Sequence, residues 1–151
     1  MERFLPCLYA YGACFFFCII INFRGKIKWF APLGSSLGWL TYLLFNFVQN
    51  DLLQYFIATV VLSIYAEIMA RVFKVPVTGF LLVALYPLVP GGGIYYTMEY
   101  CILGETAKFM ETGLHTFGIA LALAVGILFV SSLVRLYTTI KSHSLSKKIK
   151  S

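Results

Sequence analysis

The longest apolar run in the chain reads LHTFGIALALAVGILFVSSLVRL and extends from Leu114 to Leu136. A helix rises about 1.5 Å per residue, so about 20 apolar residues cross the hydrocarbon core of a bilayer. Lipid offers no hydrogen-bond partners, and the backbone of such a run must pair within itself. The run is therefore predicted to be a membrane-spanning helix.

Four further apolar runs of similar length precede it. They extend over Phe4–Phe23, Phe30–Gln49, Leu52–Ala70 and Val77–Thr97. Together the five runs predict an all-α integral membrane protein with five transmembrane helices. The connections between them are short, so residues 1–140 are predicted to form one transmembrane domain, followed by a basic cytoplasmic tail over residues 141–151.

The composition agrees with a lipid environment. Of the 151 residues, 60% are hydrophobic and only 12% are charged, whereas about a quarter of the residues in a soluble domain are charged. The net charge of +6 would suit nucleic acid, but the basic residues gather at the ends of the apolar runs. We predict the lipid bilayer as a partner and no nucleic acid.

The basic residues also predict the orientation of the helices. Ten of the twelve lie at or beyond the ends of the first, third and fifth runs: Arg24, Lys26, Lys28, Arg71, Lys74, Arg135, Lys141, Lys147, Lys148 and Lys150. Cytoplasmic segments of membrane proteins carry an excess of Lys and Arg. This pattern places the N-terminus outside the cytoplasm and the C-terminus inside it, with only Arg3 and Lys108 among the basic residues outside.

The fourth run is interrupted by the sequence YPLVPGGG at Tyr86–Gly93. Proline removes an amide donor and clashes with the preceding turn, and glycine has little helix propensity. Ten residues separate Val77 from Pro87, which is about 15 Å of helix and roughly half of the hydrocarbon thickness. The fourth helix is therefore predicted to be broken near the membrane midplane.

Such a break exposes backbone amides at the start of its second half, where the helix dipole adds partial positive charge. A substrate carboxylate is the expected guest, because glycines let an anion approach the backbone closely. The candidate substrate-binding residues are Pro87, Pro90, Gly91, Gly92, Gly93 and Tyr95. The alternative is a proline kink that only improves packing.

A polar stripe marks the third run, where hydroxyl and charged residues recur every four positions and share one helix face. Its members are Tyr55, Thr59, Ser63, Glu67 and Arg71. An acid within a membrane is costly and usually functional, so one hypothesis is that Glu67 couples protons or recognises a substrate amine. The alternative is an ion pair between Glu67 and Arg71, one turn apart near the cytoplasmic end.

Small residues at four-residue spacing predict close helix packing, within the chain or against a partner. They are Gly34, Gly38, Gly118, Ala122 and Gly126. Catalytic, metal-ligand and phosphate-loop motifs are missing, so we predict no enzyme activity, no metal and no cofactor. The four cysteines are interpreted as small apolar residues, and His115 as an ordinary interfacial residue.

Three motifs resemble the threonine/serine exporter family, and specifically its small subunit, which is equivalent to the C-terminal half of the fused exporters. They read EIMAR at Glu67–Arg71, PVT at Pro76–Thr78 and PLVPGG at Pro87–Gly92. The proline–glycine motif is the most specific of the three, and the resemblance extends from the second apolar run to the fifth.

This resemblance implies a secondary exporter in the bacterial cytoplasmic membrane. Its expected substrate is a small carboxylated metabolite, either threonine and serine or a dicarboxylate such as succinate, and its expected partner is a larger membrane subunit of the same family. Two alternatives stay open: a non-transporting scaffold or regulatory subunit, and a homo-oligomeric channel.

Overall fold

The computed structural model describes residues 5–23, 25–47 and 50–149, with side chains described up to residue 141. The described residues form helices and contain no strand. The helices are α1 (Leu5–Ile20), α2 (Ile27–Leu44), α3 (Asp51–Phe73), α4 (Val77–Leu85), a 3₁₀ turn (Tyr86–Leu88), α5 (Gly91–Ile102) and α6 (Thr106–Ile149). The all-α prediction is confirmed for this part of the chain.

Two of these helices are long and apolar enough to cross a membrane, namely Asp51–Phe73 and the part of α6 from Thr106 to Lys141. A third candidate span arises if α4, the 3₁₀ turn and α5 count as one bent helix. Helix α1 is apolar but has only 16 residues. Five spans therefore stay a prediction, and the predicted run ends at Phe4 and Gln49 lie outside the described residues.

Contacts between the helices define their relative directions. Helix α1 runs antiparallel to α2, since Ser36 donates a hydrogen bond to the Cys7 carbonyl (2.9 Å) and Tyr11 to the Trp29 carbonyl (3.3 Å). Helices α3 and α6 run parallel: Gly118 lies against Leu52, and Gly126, about two turns further along α6, lies against Thr59, about two turns further along α3. The bent pair α4–α5 connects them and returns the chain to the end of the bundle at which α3 begins.

The helix ends extend past the apolar runs from which they were predicted. Helix α6 begins at Thr106 instead of Leu114, and α5 ends at Ile102 instead of Thr97. The turn between them uses Gly104 at φ 73°, and the Glu105 amide donates to the Tyr100 carbonyl (3.0 Å). A helix that leaves the lipid no longer needs apolar side chains, so counting apolar residues underestimates its length.

At the other end, α6 continues through residue 141 to Ile149 without a break. The predicted division between a transmembrane domain (1–140) and a basic tail (141–151) is therefore not marked by a change in backbone structure. Arg24 and the side chains of the lysines after residue 141 lie outside the description.

The helices bury two apolar clusters. One joins α1 to α2, α3 and α4 and consists of Cys14, Cys18, Ala31, Ala66, Ala70, Phe80 and Val83. The other joins α3, α4, the 3₁₀ turn and α6 and consists of Ala58, Leu62, Ala84, Leu88, Ile119 and Leu123. The second cluster fixes the middle of the broken helix against the centre of the bundle.

Glycines allow the close approach that the small-residue pattern predicted. A Cβ atom at Gly34 would lie 2.8 Å from the Ala84 Cβ, and one at Gly38 would lie 2.9 Å from the Leu88 Cδ1. A Cβ at Gly126 would lie 2.9 Å from the Thr59 Cβ. The packing prediction is confirmed for these positions, and the contacts are made within the chain.

Candidate functional site

The fourth apolar run is broken where the sequence predicted. Helix α4 ends at Leu85, a 3₁₀ turn carries Pro87, and α5 starts at Gly91. The two halves are bent by 56°. The break is level with the middle of α3, because a Cβ at Gly38 would touch both Leu88 of the turn (2.9 Å) and Leu62 of α3 (3.0 Å).

The first amides of α5 lie at this break. The Gly91 amide donates to the Val89 carbonyl (2.7 Å), and the first bond of helical spacing joins the Ile94 amide to the Pro90 carbonyl (3.1 Å). A helix has no internal carbonyl for its earliest amides, so those of Gly92 and Gly93 are not used by α5. These amides form the positive end of the helix dipole.

The three glycines have different surroundings. Gly91 and Gly92 are exposed, and a Cβ at either position would meet no atom within 4 Å. Gly93 instead packs against α6, where a Cβ would lie 3.2 Å from the Thr116 Cγ2. The first two glycines are therefore open to a ligand, while the third holds α5 against α6.

An apolar groove of about 640 Å³ runs beside the break, between α5 and α6. Its polar lining is limited to Thr97 and Thr116, whose hydroxyls donate to the carbonyls of Gly93 and Thr112 at 2.7 Å each. No charged side chain lines it. The groove by itself suits an apolar group and offers no donor to a carboxylate.

The remaining predicted site residues lie around the break but do not converge. Pro90 lines the groove. Pro87 is half-buried in the 3₁₀ turn, and Tyr95 is exposed, with its ring in edge contact with Tyr96 (centroids 5.5 Å apart). Of the predicted site residues, Gly91 and Gly92 are therefore the ones that a ligand can approach closely.

The polar stripe of α3 is buried at Thr59 and Ser63, partly buried at Tyr55 and Glu67, and exposed at Arg71. The Thr59 hydroxyl donates to the Tyr55 carbonyl (2.7 Å) on its own helix. Ser63 is 2% exposed, and its hydroxyl has no hydrogen-bond partner in the described part of the chain. Glu67 and Arg71 form the expected pair, with a long separation of 3.9 Å between Oε2 and Nη2.

The stripe and the glycines lie on opposite sides of the break. Leu62 is level with the 3₁₀ turn, and Glu67 lies five residues further toward Phe73, about 7.5 Å along the helix. Helix α4 runs antiparallel to α3, so the chain leaves Leu88 in the other direction, toward Asp51. The structure therefore does not unite Glu67 with the glycine amides.

A second polar cluster lies where α2, α3 and α6 meet, and the sequence analysis missed it. The Tyr42 hydroxyl donates to Asp51 Oδ1 (2.8 Å), and His115 Nε2 lies 3.3 Å from Asp51 Oδ2. The Tyr42 and Tyr55 rings are 4.8 Å apart. His115 is thus paired with an acid and is more than an ordinary interfacial residue. The available signal was that Asp51 and His115 both lie near the start of runs predicted to begin outside.

Comparison with known proteins supports the interpretation of the motifs. A family model described as "Threonine/Serine exporter, ThrE" matches residues 6–133, which include the break, the stripe and the polar cluster. Neither the curated proteins nor the solved structures contain a match to the chain. The matching family consists of transporters and not of enzymes. Because the family model covers most of the chain and the helices are apolar, the chain is a multi-pass membrane protein that belongs to the threonine/serine exporter family.

Proposed function

We propose that the chain is the small membrane subunit of a secondary exporter for a small carboxylated metabolite. The substrate is threonine, serine or a dicarboxylate such as succinate. One observation carries this proposal: α5 opens level with the middle of α3 with a Gly92 amide that it does not use, and a Cβ at Gly91 or Gly92 would meet no atom within 4 Å. Unwound backbone at membrane depth is tolerated only where protein or a polar cavity covers it, and half-helix N-termini suit anionic groups.

The exposure of Gly91 and Gly92 also supports the proposal that this chain works with a partner subunit. The described residues that line the groove beside the break carry no charge, so the groove itself offers no cation to the carboxylate. Lipid cannot satisfy the amides either. We propose that a larger subunit of the same family covers Gly91 and Gly92 and completes the site, in the bacterial cytoplasmic membrane, with the N-terminus outside and the C-terminus in the cytoplasm.

The residues proposed to act in transport fall into two groups. Pro87 and Pro90 shape the break, and Gly91, Gly92 and Tyr95 face the substrate. Thr59, Ser63, Glu67 and Arg71 form the polar stripe on the cytoplasmic side of the break. Glu67 is half-buried and its pair with Arg71 is long, so exchange of that partner for a substrate amine costs little.

The direct test is reconstitution of the chain with and without a larger membrane subunit of the same family. Proteoliposomes loaded with labelled serine, threonine or succinate are expected to release one of these substrates only when both subunits are present. Transport by the chain alone would support the homo-oligomeric channel instead. An assembled complex that releases none of the three substrates would support the scaffold.

A pair of glycine variants tests the site within that assay. Gly92→Leu places a side chain where a ligand approaches, in space that is open within this chain, so the chain is expected to fold and to lose at least about 90% of the efflux per assembled complex. Gly12→Leu is the control, because Gly12 lies on α1 and is equally open. Efflux is normalised to assembled complex. Wild-type efflux by Gly92→Leu would show that the break is only a kink.

A further inference from the structure

A second groove lies at the end of the bundle where α3 ends, between the α1–α2 and α3–α4 connections. It has a volume of about 300 Å³, at the lower limit of small-molecule pockets. Phe23 and Ile27 line it from the first connection and the start of α2, and Val75 and Phe80 line it from the second connection and α4. Thr78 is the one polar side chain among the described residues that line it. The lining therefore suits an apolar chain.

The turns that form this groove are held by hydrogen bonds and packing. Lys74 adopts a left-handed backbone conformation (φ 54°) at the end of α3. The next amide, that of Val75, donates to the Ala70 carbonyl (3.0 Å), as in the Schellman motif that commonly ends helices. On the other wall, a Cβ at Gly79 would lie 3.2 Å from the Phe23 Cζ, so the Phe23 ring rests on α4. The groove is therefore a built feature of the fold.

The rim of this groove carries positive charge without a balancing acid. Lys26 and Lys74 each immediately precede a residue that lines the groove, and both lysines are exposed. Residues 3–50 and 68–98 contain no Asp or Glu. Among the side chains that the structure describes, neither lysine takes part in an ion pair. Both ammonium groups are therefore available to an anion.

The depth of the groove indicates which anion reaches it. Val77 begins α4, and the ten residues from there to Pro87 at the break span about 15 Å of helix. The hydrocarbon core is about 30 Å thick, so a break near its middle puts the groove close to its edge, where the lipid phosphates begin. A free phosphate gains nothing from an apolar lining, whereas a phospholipid carries a phosphate and an acyl chain together. Basic pockets between membrane helices are typical sites for anionic headgroups.

We propose that this groove binds one anionic phospholipid, with an acyl chain against Phe23 and Val75 and the phosphate between Lys26 and Lys74. The inference goes beyond the proposed function and does not depend on which substrate the chain carries. In the proposed orientation the lipid comes from the cytoplasmic leaflet. The bound lipid links the α1–α2 connection to the α3–α4 connection, which leads into the broken helix.

Native mass spectrometry of the full-length chain in a non-ionic detergent measures this binding. The chain is titrated with phosphatidylglycerol and, separately, with phosphatidylcholine that has the same acyl chains. The wild-type chain is expected to bind one phosphatidylglycerol at least about tenfold more tightly than phosphatidylcholine, because basic side chains near the headgroups attract anionic lipid. Millimolar inorganic phosphate is expected not to displace the lipid, since it lacks an acyl chain.

Two double variants with the same loss of charge test where the lipid binds. Lys26→Gln combined with Lys74→Gln is expected to lower the affinity for phosphatidylglycerol at least about tenfold and to remove the preference over phosphatidylcholine. Arg135→Gln combined with Lys141→Gln is the matched control, because it removes two exposed charges from α6 at the same end of the bundle and should keep the preference. Thr78→Trp fills the groove without changing a charge and is expected to weaken phosphatidylglycerol binding by a similar factor.

The inference would be overturned by equal affinities for the two lipids in the wild-type chain. It would also be overturned if the Lys26 and Lys74 double variant bound phosphatidylglycerol like wild type, or if the control on α6 lost as much affinity. Displacement of the lipid by inorganic phosphate would indicate a site for free phosphate instead. Loss of the bound lipid when the larger subunit joins the chain would assign the groove to that subunit.

Discussion

The three consecutive glycines offer a sharp test of the packing at the break. Alanine at Gly93 would place a Cβ 3.2 Å from the Thr116 Cγ2 and 3.3 Å from its Cβ, with the hydroxyl oxygen closer still. Alanine at Gly92 would meet nothing within 4 Å. Both substitutions gain the same helix propensity, about 1 kcal/mol, so that gain cancels when the two variants are compared.

The remaining difference is the cost of overpacking, which is typically about 1–3 kcal/mol. Gly93→Ala is therefore expected to unfold more easily than Gly92→Ala by about 2 kcal/mol, and Thr116→Ala should recover most of that loss when it is combined with Gly93→Ala. The assay is reversible unfolding in mixed detergent micelles. Equal stability of Gly92→Ala and Gly93→Ala would refute the proposed contact between α5 and α6.

Three other predictions concern the rest of the bundle. Gly126→Ala should destabilise the chain by about 1–3 kcal/mol, measured in the same unfolding assay, because its Cβ would lie 2.9 Å from the Thr59 Cβ and 3.3 Å from a backbone oxygen; unchanged stability would contradict the tight α3–α6 packing. Glu67→Gln should cost less than about 1 kcal/mol in that assay, because its ion pair is long and its partner Arg71 is half-exposed; a larger loss would show a stronger structural role. On a cysteine-free background, an impermeant thiol reagent should label Lys108→Cys but not Lys26→Cys in intact cells, and the reverse pattern would overturn the orientation.

Local chemistry allowed the break to be predicted from the sequence. Two prolines followed by three glycines disfavour a continuous helix, and the structure breaks the helix at these residues, level with the middle of α3. The close contacts of Gly34, Gly38 and Gly126 followed from their spacing for a similar reason. Features that depend on a few neighbouring residues were therefore predictable.

Features that depend on tertiary contacts were not. Asp51 and His115 are 64 positions apart, and only the parallel packing of α3 and α6 brings them together. The sequence analysis predicted that Gly91, Gly92 and Gly93 all bind the substrate. In the structure, the third glycine instead packs against Thr116 of α6. Tertiary packing decides which face of a helix contacts its neighbour. Three identical glycines in a row do not indicate which of them will contact α6.

The central claim is that the substrate carboxylate binds at the open segment Gly91–Gly92, through the Gly92 amide that α5 does not use. Solid-state NMR tests it directly, by dipolar coupling between ¹³C-carboxylate-labelled substrate and a ¹⁵N-glycine-labelled chain in the reconstituted complex. A hydrogen bond of about 2.9 Å from nitrogen to oxygen puts the carboxylate carbon roughly 4 Å from the amide nitrogen. We expect coupling at that distance, present in Gly12→Leu and abolished in Gly92→Leu. A transporting complex in which the coupling is missing, or survives Gly92→Leu unchanged, would contradict the account.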